Sequence, residues 1–280
     1  MNDKTHVDVD NEAIHFDMQG RTTYGEYLRL DKLLTAQVLR SNTQDEHLFI
    51  IIHQVSELWL SLILGELGQA LDLLRQDALR PVFKVLSRIT RAQTQLINVW
   101  DIVGTLTPTD YLRFRPVLGE ASGFQSSQYR TLEFALGNKN RRLADVFAYD
   151  PAVQRPVLEA LKSPSIYDET LRLLHRRGFE LPQSVLNRDW AEPYKSTLDV
   201  ERAWQTIYSE TDTHWDLYEL AEKLVDVEHL FQRWRFNHLK TVERLIGHRR
   251  GTGGTKGASY LQKALNLRFF PELCAVRTRL

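Results

Sequence analysis

A repeating stripe of apolar residues between Phe231 and Leu245 constrains the fold more than any other feature of this chain. The residues of the stripe are Phe231, Trp234, His238, Val242 and Leu245. Their steps of three and four residues place them on one face of a helix, and the same spacing predicts Arg235 and the other basic residues between them on the remaining faces. No strand-like alternation of useful length occurs in the sequence, so we predict an all-α fold.

The same periodicity recurs along most of the chain. It predicts helices over about 22–38, 45–76, 81–106, 107–115 and 127–137, and two long helices between 198 and 247. We therefore expect a single domain of long packed helices over residues 21–280, preceded by a mobile arm over residues 1–20. Prolines punctuate residues 138–198, which we expect to form an inserted helical subregion because no Gly/Ser linker flanks them.

Composition excludes several classes of function. The 280 residues include 36 basic and 36 acidic side chains, and this zero net charge gives no electrostatic footprint for nucleic acid or an anionic membrane. We also expect no membrane span, since no apolar run approaches the roughly 18 residues needed, and the polar N-terminus is unlike a signal peptide. The single cysteine, Cys274, permits no internal disulfide, excludes sites that need several thiolates, and is typical of a cytoplasmic protein.

Two histidines are predicted to point inward from separate long helices. His238 lies on the stripe described above, and His53 shares a helical face with Phe49 and Leu60 in the predicted helix over 45–76. A buried neutral imidazole either forms a hydrogen bond with a neighbour or binds a metal. The spacing alone leaves both interpretations open.

The stretch from Thr107 to Pro116 predicts an arginine at the end of a short helix. Thr107 is placed as N-cap, with Pro108 at the first helical position and Asp110 three residues after the cap. Tyr111 and Arg115 are four residues apart and share a face, and Pro116 is expected to end the helix near Arg115. A guanidinium at such an edge, beside a glycine-containing loop, is suited to bind a carboxylate through two hydrogen bonds.

The segment GTGGTKG at residues 251–257 resembles a nucleotide-binding loop but fails both standard patterns. A Walker loop needs lysine directly after glycine, whereas Lys256 follows Thr255, and the dinucleotide pattern needs a preceding strand, whereas a helix precedes this segment. A flexible loop remains, whose backbone N–H groups and Thr252 hydroxyl could close over an anionic or zwitterionic ligand. A plain helix connector is the alternative.

Other catalytic arrangements are poorly supported. Only Glu12–His15 fits the Glu-x-x-His spacing of a helical di-metal site, and no Gly-x-Ser-x-Gly elbow occurs. The features that remain are two inward histidines, the Tyr111–Arg115 pair and the glycine loop. One neutral imidazole as axial ligand, with an open opposite face near a second polar side chain, is a haem arrangement used with oxygen.

Several longer motifs carry a family resemblance. They are YGEYLRLDKLL, EHLFIIIHQVSELWL, LTPTDYLRFRPVLGEASGFQSSQYR, LEFALGNKN, DVEHLFQRWRFNHLKTVERLIGHRRGTGGTKG and FFPEL. Together they resemble the tryptophan 2,3-dioxygenase family over nearly the whole chain, more loosely in the middle segment. The resemblance implies a mostly helical homotetramer with one non-covalent haem b per subunit, which converts L-tryptophan and dioxygen to N-formyl-L-kynurenine at the start of tryptophan catabolism.

The resemblance also implies roles for individual residues. His238 corresponds to the iron ligand, His53 to the histidine that meets the indole N–H, and Phe49 to the residue that packs on the indole ring. Arg115 corresponds to the clamp on the substrate carboxylate, and Thr252 to the loop residue at the amino-acid end. Further residues implied at the substrate are Ile50, Ile51, Ile52, Tyr111, Leu118 and Ser122, with Trp100 and Ser122 at the haem and with Tyr24, Tyr27 and Leu28 reaching a neighbouring subunit's pocket.

Two other classes of function stay open. A non-enzymatic sensor of haem or indole could be built on the same helices, and a cofactor-free helical bundle is the third interpretation. The predicted binding of an amino acid by Arg115 and Thr252 favours an enzyme, because a gas sensor needs no amino-acid site.

Overall fold

The computed structural model describes residue 9 and residues 12–280, and these form two compact units, Met1–Arg40 and Ser41–Leu280. Of the arm predicted over residues 1–20, residues 1–8, 10 and 11 lie outside the described residues. Residues 12–23 contain no helix. The first unit ends at Arg40, which is beyond residue 20, the predicted end of the arm.

All regular secondary structure in the described part of the chain is helical, as the apolar periodicity predicts. The α-helices are α1 (Tyr24–Leu28), α2 (Leu30–Leu33), α3 (Gln44–Arg75), α4 (Leu79–Val103), α5 (Pro108–Leu118), α6 (Ser127–Leu136), α7 (Arg141–Ala144), α8 (Pro151–Lys162), α9 (Ile166–Arg176), α10 (Gln183–Leu186), α11 (Leu198–Ser209), α12 (Trp215–Ile246), α13 (Ala258–Ala264) and α14 (Pro271–Ala275). Short 3-10 helices span Gly123–Gln125, Asp145–Phe147 and Val276–Thr278.

Three long helices form the centre of the second unit. Helix α4 packs along both α3 and α12, and α5 contacts α3 and α12 at one end of this layer. The main core lies between these helices, α9 and α11, and includes fully buried Ile63, Leu86 and Trp204. Burial of each large apolar side chain contributes about 1.5–3 kcal/mol, which is why the apolar stripes fix the orientation of the helices.

The first predicted helix is shorter than expected. Residues 22–38 form only α1 and α2, separated at Arg29, whose φ of 52° is left-handed. The Arg29 N–H closes α1 on the carbonyls of Glu26 and Gly25. No residue of α1 or α2 is buried, so packing does not offset the cost of extending a short helix.

Helix α5 begins as predicted but does not end as predicted. The Thr107 side chain accepts the Asp110 N–H at 3.2 Å and the Asp110 carboxylate accepts the Thr107 N–H at 3.2 Å, which forms the capping box. The expectation that Pro116 ends the helix near Arg115 is wrong, because α5 continues to Leu118. Pro116 lies in the last turn, where its missing N–H removes a single helical hydrogen bond.

Helix α3 is more apolar than predicted. An 18-residue window of Gln44–Arg75 has a mean hydropathy of 1.7, so by length and composition this helix could cross a membrane. The expectation of no such run is therefore wrong. The core helix of a soluble protein passes the same test, and α3 contributes buried Ile63, Leu67 and Leu74 to the main core while it contacts α4, α6 and α9.

The middle segment packs within the second unit. Helix α8 packs on α6, and α9 packs on α3 and α6, so residues 138–198 form no separate unit. Lys139 is buried there, and its ammonium donates to the carbonyls of Ala160 and Ser163 at the C-terminal end of α8, at 2.6 and 2.7 Å. This hydrogen bonding satisfies carbonyls that the helix leaves without partners.

Candidate active site

The predicted site residues of the second unit meet where α3, α4, α5 and α12 converge. A separate apolar cluster occupies this position. Its buried members are Ile52, Val103, Leu106, Tyr111, Phe114 and Leu245, and its half-buried members are Leu48, Phe49, Val99, Trp100, Val117, Leu118 and Ile246. Four helices thus contribute side chains to one small region, although the sequence separates them by up to two hundred residues.

His238 lies half-buried on α12 between two indole rings. Its imidazole is parallel to the ring of Trp100, with an interplanar angle of 10° and centroids 4.6 Å apart, and it also contacts Trp234 at 5.3 Å. Burial lowers the pKa of His238 to about 4, and a charge on His53 would lower it further. The ring is therefore neutral near pH 7, with one nitrogen carrying a lone pair.

His53 is the second imidazole of the region and lies on α3. Its Nδ1 is 2.7 Å from the carbonyl oxygen of Phe49. Since a carbonyl only accepts, Nδ1 carries the proton and Nε2 is an acceptor. The expectation that His53 points inward as a core residue is wrong, because its side chain is exposed in the single chain. Desolvation by the surrounding protein nevertheless lowers the pKa of His53, opposed by the Phe49 carbonyl and by Glu57.

An aromatic wall supports this histidine. The ring of Phe49 lies 4.2 Å from that of His53, 5.3 Å from Phe114 and 5.9 Å from Tyr111. Phe114 is fully buried and meets Tyr111 edge-on at 5.3 Å. Phe114 was not predicted as a site residue, although it follows Tyr111 by three residues and so lies on a neighbouring part of the same helical face.

Arg115 lies in the last turn of α5, and its guanidinium reaches across to the chain after α12. Nη2 donates to the backbone carbonyl of Arg250 at 2.7 Å. The charge of Arg115 partly offsets the rise in the pKa of Tyr111 that burial causes. The two residues of the predicted Tyr111–Arg115 pair therefore lie close together, and Arg115 holds an oxygen acceptor.

The glycine loop packs against the segment that follows α5. The Thr252 hydroxyl donates to the carbonyl of Ala121 at 2.6 Å, and the Gly251 N–H donates to Thr255 at 3.2 Å. A Cβ atom at Gly253 would lie 2.7 Å from Cβ of Ser122, closer than carbon atoms approach. Only glycine therefore permits this approach of the loop to Ser122.

Comparison with known protein families decides the assignment. The family model for tryptophan 2,3-dioxygenase matches residues 8–163 and 204–280. The chain belongs to the tryptophan 2,3-dioxygenase family. Besides residues 1–7, the unmatched residues are 164–203, most of which fall in the middle segment where the motif resemblance is looser.

Curated relatives agree with this family assignment. The tryptophan 2,3-dioxygenase of Erythrobacter litoralis (strain HTCC2594) is 56% identical over 256 residues, which cover 91% of this chain and 97% of that protein. The tryptophan 2,3-dioxygenase of Bacillus thuringiensis (strain Al Hakam) is 50% identical over 269 residues, 96% of each chain. That of Exiguobacterium sibiricum is 48% identical over 278 residues, 99% of each chain.

The remaining motif residues that the tryptophan 2,3-dioxygenase resemblance singles out occupy different surroundings. Ile52 is buried in the apolar cluster, Ile50 is half-buried, and Ile51 is 38% exposed on the opposite side of α3 from Phe49. Leu118 is half-buried beside the cluster. Tyr24, Tyr27 and Leu28 belong to the first unit and are exposed.

Trp234 also lies in this candidate site of the tryptophan 2,3-dioxygenase family member. It contacts both His238 and Trp100, at 5.3 and 5.6 Å. The stripe on α12 includes Trp234, so the sequence placed it on the correct face but gave no sign of its contact with α4. Arg235, predicted on one of the faces away from the stripe, is buried and bonded to Glu133, and the spacing did not predict this burial.

Proposed function

We propose that this protein is a haem-dependent dioxygenase that inserts dioxygen across the indole C2–C3 bond of L-tryptophan and yields N-formyl-L-kynurenine. The observation that carries this proposal is the pairing of two neutral imidazoles with separate tasks. His238 offers a nitrogen lone pair between two indole rings, and His53 offers an acceptor nitrogen beside an aromatic wall. Membership of the tryptophan 2,3-dioxygenase family supplies the reaction.

The residues present fit a haem. Among residues 9 and 12–280, the indole N–H of Trp100 is buried without an acceptor, and the neighbouring His238 ring forms no hydrogen bond. Such groups are rare in the interior unless another partner completes the site. A single neutral imidazole is also a common axial donor to haem iron. His238 would be the iron ligand, with Trp100 and Ser122 beside the macrocycle of one haem b per subunit.

When bound, the haem iron supplies the activation of dioxygen. His53 then has the task of orienting the substrate, because its Nε2 accepts a hydrogen bond and the indole nitrogen donates one. The Phe49 carbonyl fixes this tautomer through Nδ1. His53 therefore holds the ring in place, and removal of the indole proton before oxygen insertion is not required of it.

The aromatic wall would receive the indole ring. Phe49 lies next to His53 and is backed by Phe114, so it forms a rigid surface on which an indole can pack. Ile50, Ile52 and Leu118 would complete the apolar lining, with Ile51 as the least supported contact because it lies on the far side of α3. A preformed surface lowers the barrier by positioning the reacting bond.

Arg115, Tyr111 and Thr252 would bind the amino-acid end. Arg115 already holds a carbonyl oxygen at 2.7 Å, which supports its capacity to bind a carboxylate oxygen in the same place. The Thr252 hydroxyl donates to the carbonyl of Ala121, and Thr252 lies two residues after Arg250 in the chain. Substrate would replace the Arg250 carbonyl on Arg115, so the loop over residues 251–257 must adjust when L-tryptophan binds.

We further propose a homotetramer, in which Tyr24, Tyr27 and Leu28 reach the pocket of a neighbouring subunit. Their large exposed apolar side chains support this, with Tyr24 at 76% and Tyr27 at 79% exposure. A second exposed stripe on α3 supports assembly as well. It consists of Ile51, Val55, Leu58 and Leu62. Steps of three and four give one continuous face that a second copy of the chain can cover.

A cytoplasmic location is part of the same proposal, since its support is the lone exposed Cys274. The rival function is a haem or indole sensor without turnover. The deciding experiment adds L-tryptophan and ¹⁸O₂ to the reduced haem protein and measures oxygen consumption and product mass. A dioxygenase consumes one O₂ per tryptophan and places both labelled atoms in N-formyl-L-kynurenine, whereas a sensor consumes neither.

A further inference from the structure

A buried cluster of charged residues joins α6 to the helix that carries His238. Arg130, Glu133 and Arg235 are 2%, 3% and 3% exposed. The Glu133 carboxylate accepts from Arg235 Nη2 at 2.8 Å through Oε1 and from Arg130 Nη1 through Oε2. The Nε atoms of both arginines are buried without an acceptor among the described residues.

Burying such a cluster costs free energy of folding, which points to a further task for it. Removing two guanidinium groups and a carboxylate from water costs several kcal/mol per charge, and apolar residues of similar volume often give equal or greater stability. Glu133 additionally accepts the hydroxyl of Tyr129 at 3.0 Å on the same oxygen that holds Arg235. The cluster therefore fixes one phenol ring relative to α12 with two charge-assisted hydrogen bonds.

The fixed phenol ring leads directly to His238. Tyr129 faces Trp234 with ring centroids 5.2 Å apart and an interplanar angle of 33°, and it stacks on Phe231 at 5.8 Å. Trp234 in turn contacts His238 at 5.3 Å. Burial, and next the charge of Glu133, raise the pKa of Tyr129, so the hydroxyl remains a neutral donor.

The His238 ring has few other restraints. A metal-binding histidine is usually oriented by a hydrogen bond from its second nitrogen to a carboxylate or carbonyl. The described residues give the His238 ring no hydrogen bond, and its aromatic contacts are with Trp100 and Trp234. Trp100 covers one face, so the rotation of the imidazole depends on Trp234 and on whatever fixes Trp234.

We propose that Tyr129, held by Glu133, is a positioning residue that sets the orientation of His238 through Trp234. This inference rests on the proposed function, since it gives His238 the role of iron ligand. The proposed order of contacts runs from Glu133 to Tyr129, from Tyr129 to Trp234 and from Trp234 to His238. Tyr129 acts through its ring, and Glu133 acts by fixing that ring.

The test compares Tyr129→Leu with Tyr129→Phe in the haem-loaded protein. Resonance Raman of the reduced form reports the iron–histidine stretching band, and transfer to excess apomyoglobin reports haem loss. Tyr129→Leu is expected to shift and broaden the band and to accelerate haem loss by roughly 10- to 100-fold, the range found when a residue behind a metal ligand is removed. Tyr129→Phe keeps the ring and is expected to retain most of the wild-type band.

The chain offers a matched control in Tyr194, whose hydroxyl donates to buried Glu272 at 2.6 Å and whose ring contacts Tyr167, away from His238. Tyr194→Leu should lower the melting temperature like Tyr129→Leu but leave the band and the haem loss unchanged. If Tyr129→Leu does not fold, Trp234→Leu removes the ring between Tyr129 and His238 and must shift the band.

Two results overturn the inference: a wild-type band and wild-type haem loss in Tyr129→Leu or Trp234→Leu, or an equal shift in Tyr194→Leu. Failure of the proposed function is a different result. In that case the wild-type protein itself has no iron–histidine band, or His238→Ala retains it.

Discussion

The ring of Trp100 on α4 lies parallel to the ring of His238 on α12, at an interplanar angle of 10° and a centroid distance of 4.6 Å. This stack covers one face of the imidazole and ties the two helices together at the candidate haem site. It also accounts for the low basicity of His238, because surrounding protein removes water from the ring and lowers its pKa to about 4. A neutral ring with a free lone pair is the form that binds a metal.

Loss of the carboxylate clamp should weaken substrate binding. Arg115→Leu is expected to reduce the affinity for L-tryptophan by about 2–4 kcal/mol, since the buried carboxylate loses a charged partner. Arg113→Leu on the same helix is the control, because the Arg113 side chain is 61% exposed and pairs with Asp110 at 3.6 Å. A titration of the haem protein in which Arg115→Leu loses less than about 1 kcal/mol, like an exposed ion pair, would reject the clamp.

The orienting role of His53 can be tested with a methylated substrate. Tryptophan has an indole N–H and 1-methyltryptophan has none, so the wild type should prefer tryptophan by the worth of one hydrogen bond, about 0.5–1.5 kcal/mol. His53→Ala should keep measurable turnover of both substrates and lose that preference. Complete inactivity on both, with haem and substrate still bound, would mean that His53 supplies an indispensable base.

The lowered pKa values of the two histidines predict that the haem-free protein loses stability towards unfolding in acid. The pKa of His238 is lowered to about 4 in the folded chain, and that of His53 is lowered as well, whereas an unfolded histidine has a pKa of about 6.5. Between these values the unfolded state binds more protons, so the stability of the haem-free protein falls as pH decreases. The His238 part amounts to about 3 kcal/mol at most.

Urea unfolding of the haem-free protein at several pH values between 4 and 7 measures this effect. The substitution His238→Leu should remove most of the dependence in that range and leave the part due to His53. Identical pH profiles for wild type and variant would show that His238 is not a buried neutral group.

The approach of the glycine loop to Ser122 gives a further prediction. A Cβ atom at residue 253 would lie 2.7 Å from Cβ of Ser122, so Gly253→Ala must displace the loop. We expect affinity for L-tryptophan to fall by about tenfold, or 1.4 kcal/mol, with little change in melting temperature. Gly251→Ala is the loop control, since its Cβ would meet only the Thr255 hydroxyl, at 3.0 Å.

Limited proteolysis measures the loop directly. In the wild type, L-tryptophan should protect residues 251–257 from cleavage, and in Gly253→Ala this protection should be lost. Equal sensitivity of the wild-type loop with and without L-tryptophan would contradict closure over the substrate.

Much of the fold follows from local rules. Helix α3, predicted over 45–76, spans Gln44–Arg75, and the capping residues Thr107 and Asp110 perform as their types predict. The predicted helix boundaries were wrong at two places, one without buried side chains and one in the last turn of a helix. Residues 22–38 bury nothing and break at Arg29, and Pro116 is tolerated because it falls in a last turn.

The candidate site could be predicted only in part. The stripe on α12 predicted the direction of His238, and the spacing of Tyr111 and Arg115 predicted a shared face, in keeping with the effect of the Arg115 charge on the pKa of Tyr111. Contacts between distant helices have no signal in a single sequence, so the Trp100–His238 stack and the Arg115–Arg250 bond could not be foreseen. The burial of Arg235 was not predicted for the same reason, because its partner Glu133 lies on another helix.

The most direct test of the account is the absorption spectrum of the reduced protein with carbon monoxide, for wild type and for His238→Ala. The wild type should give a haem–carbon monoxide spectrum that changes when L-tryptophan is added. His238→Ala should lose the pigment, or retain a weakly held haem without formation of N-formyl-L-kynurenine. A variant with an unchanged spectrum and unchanged product formation would show that His238 is not the iron ligand and would contradict the account.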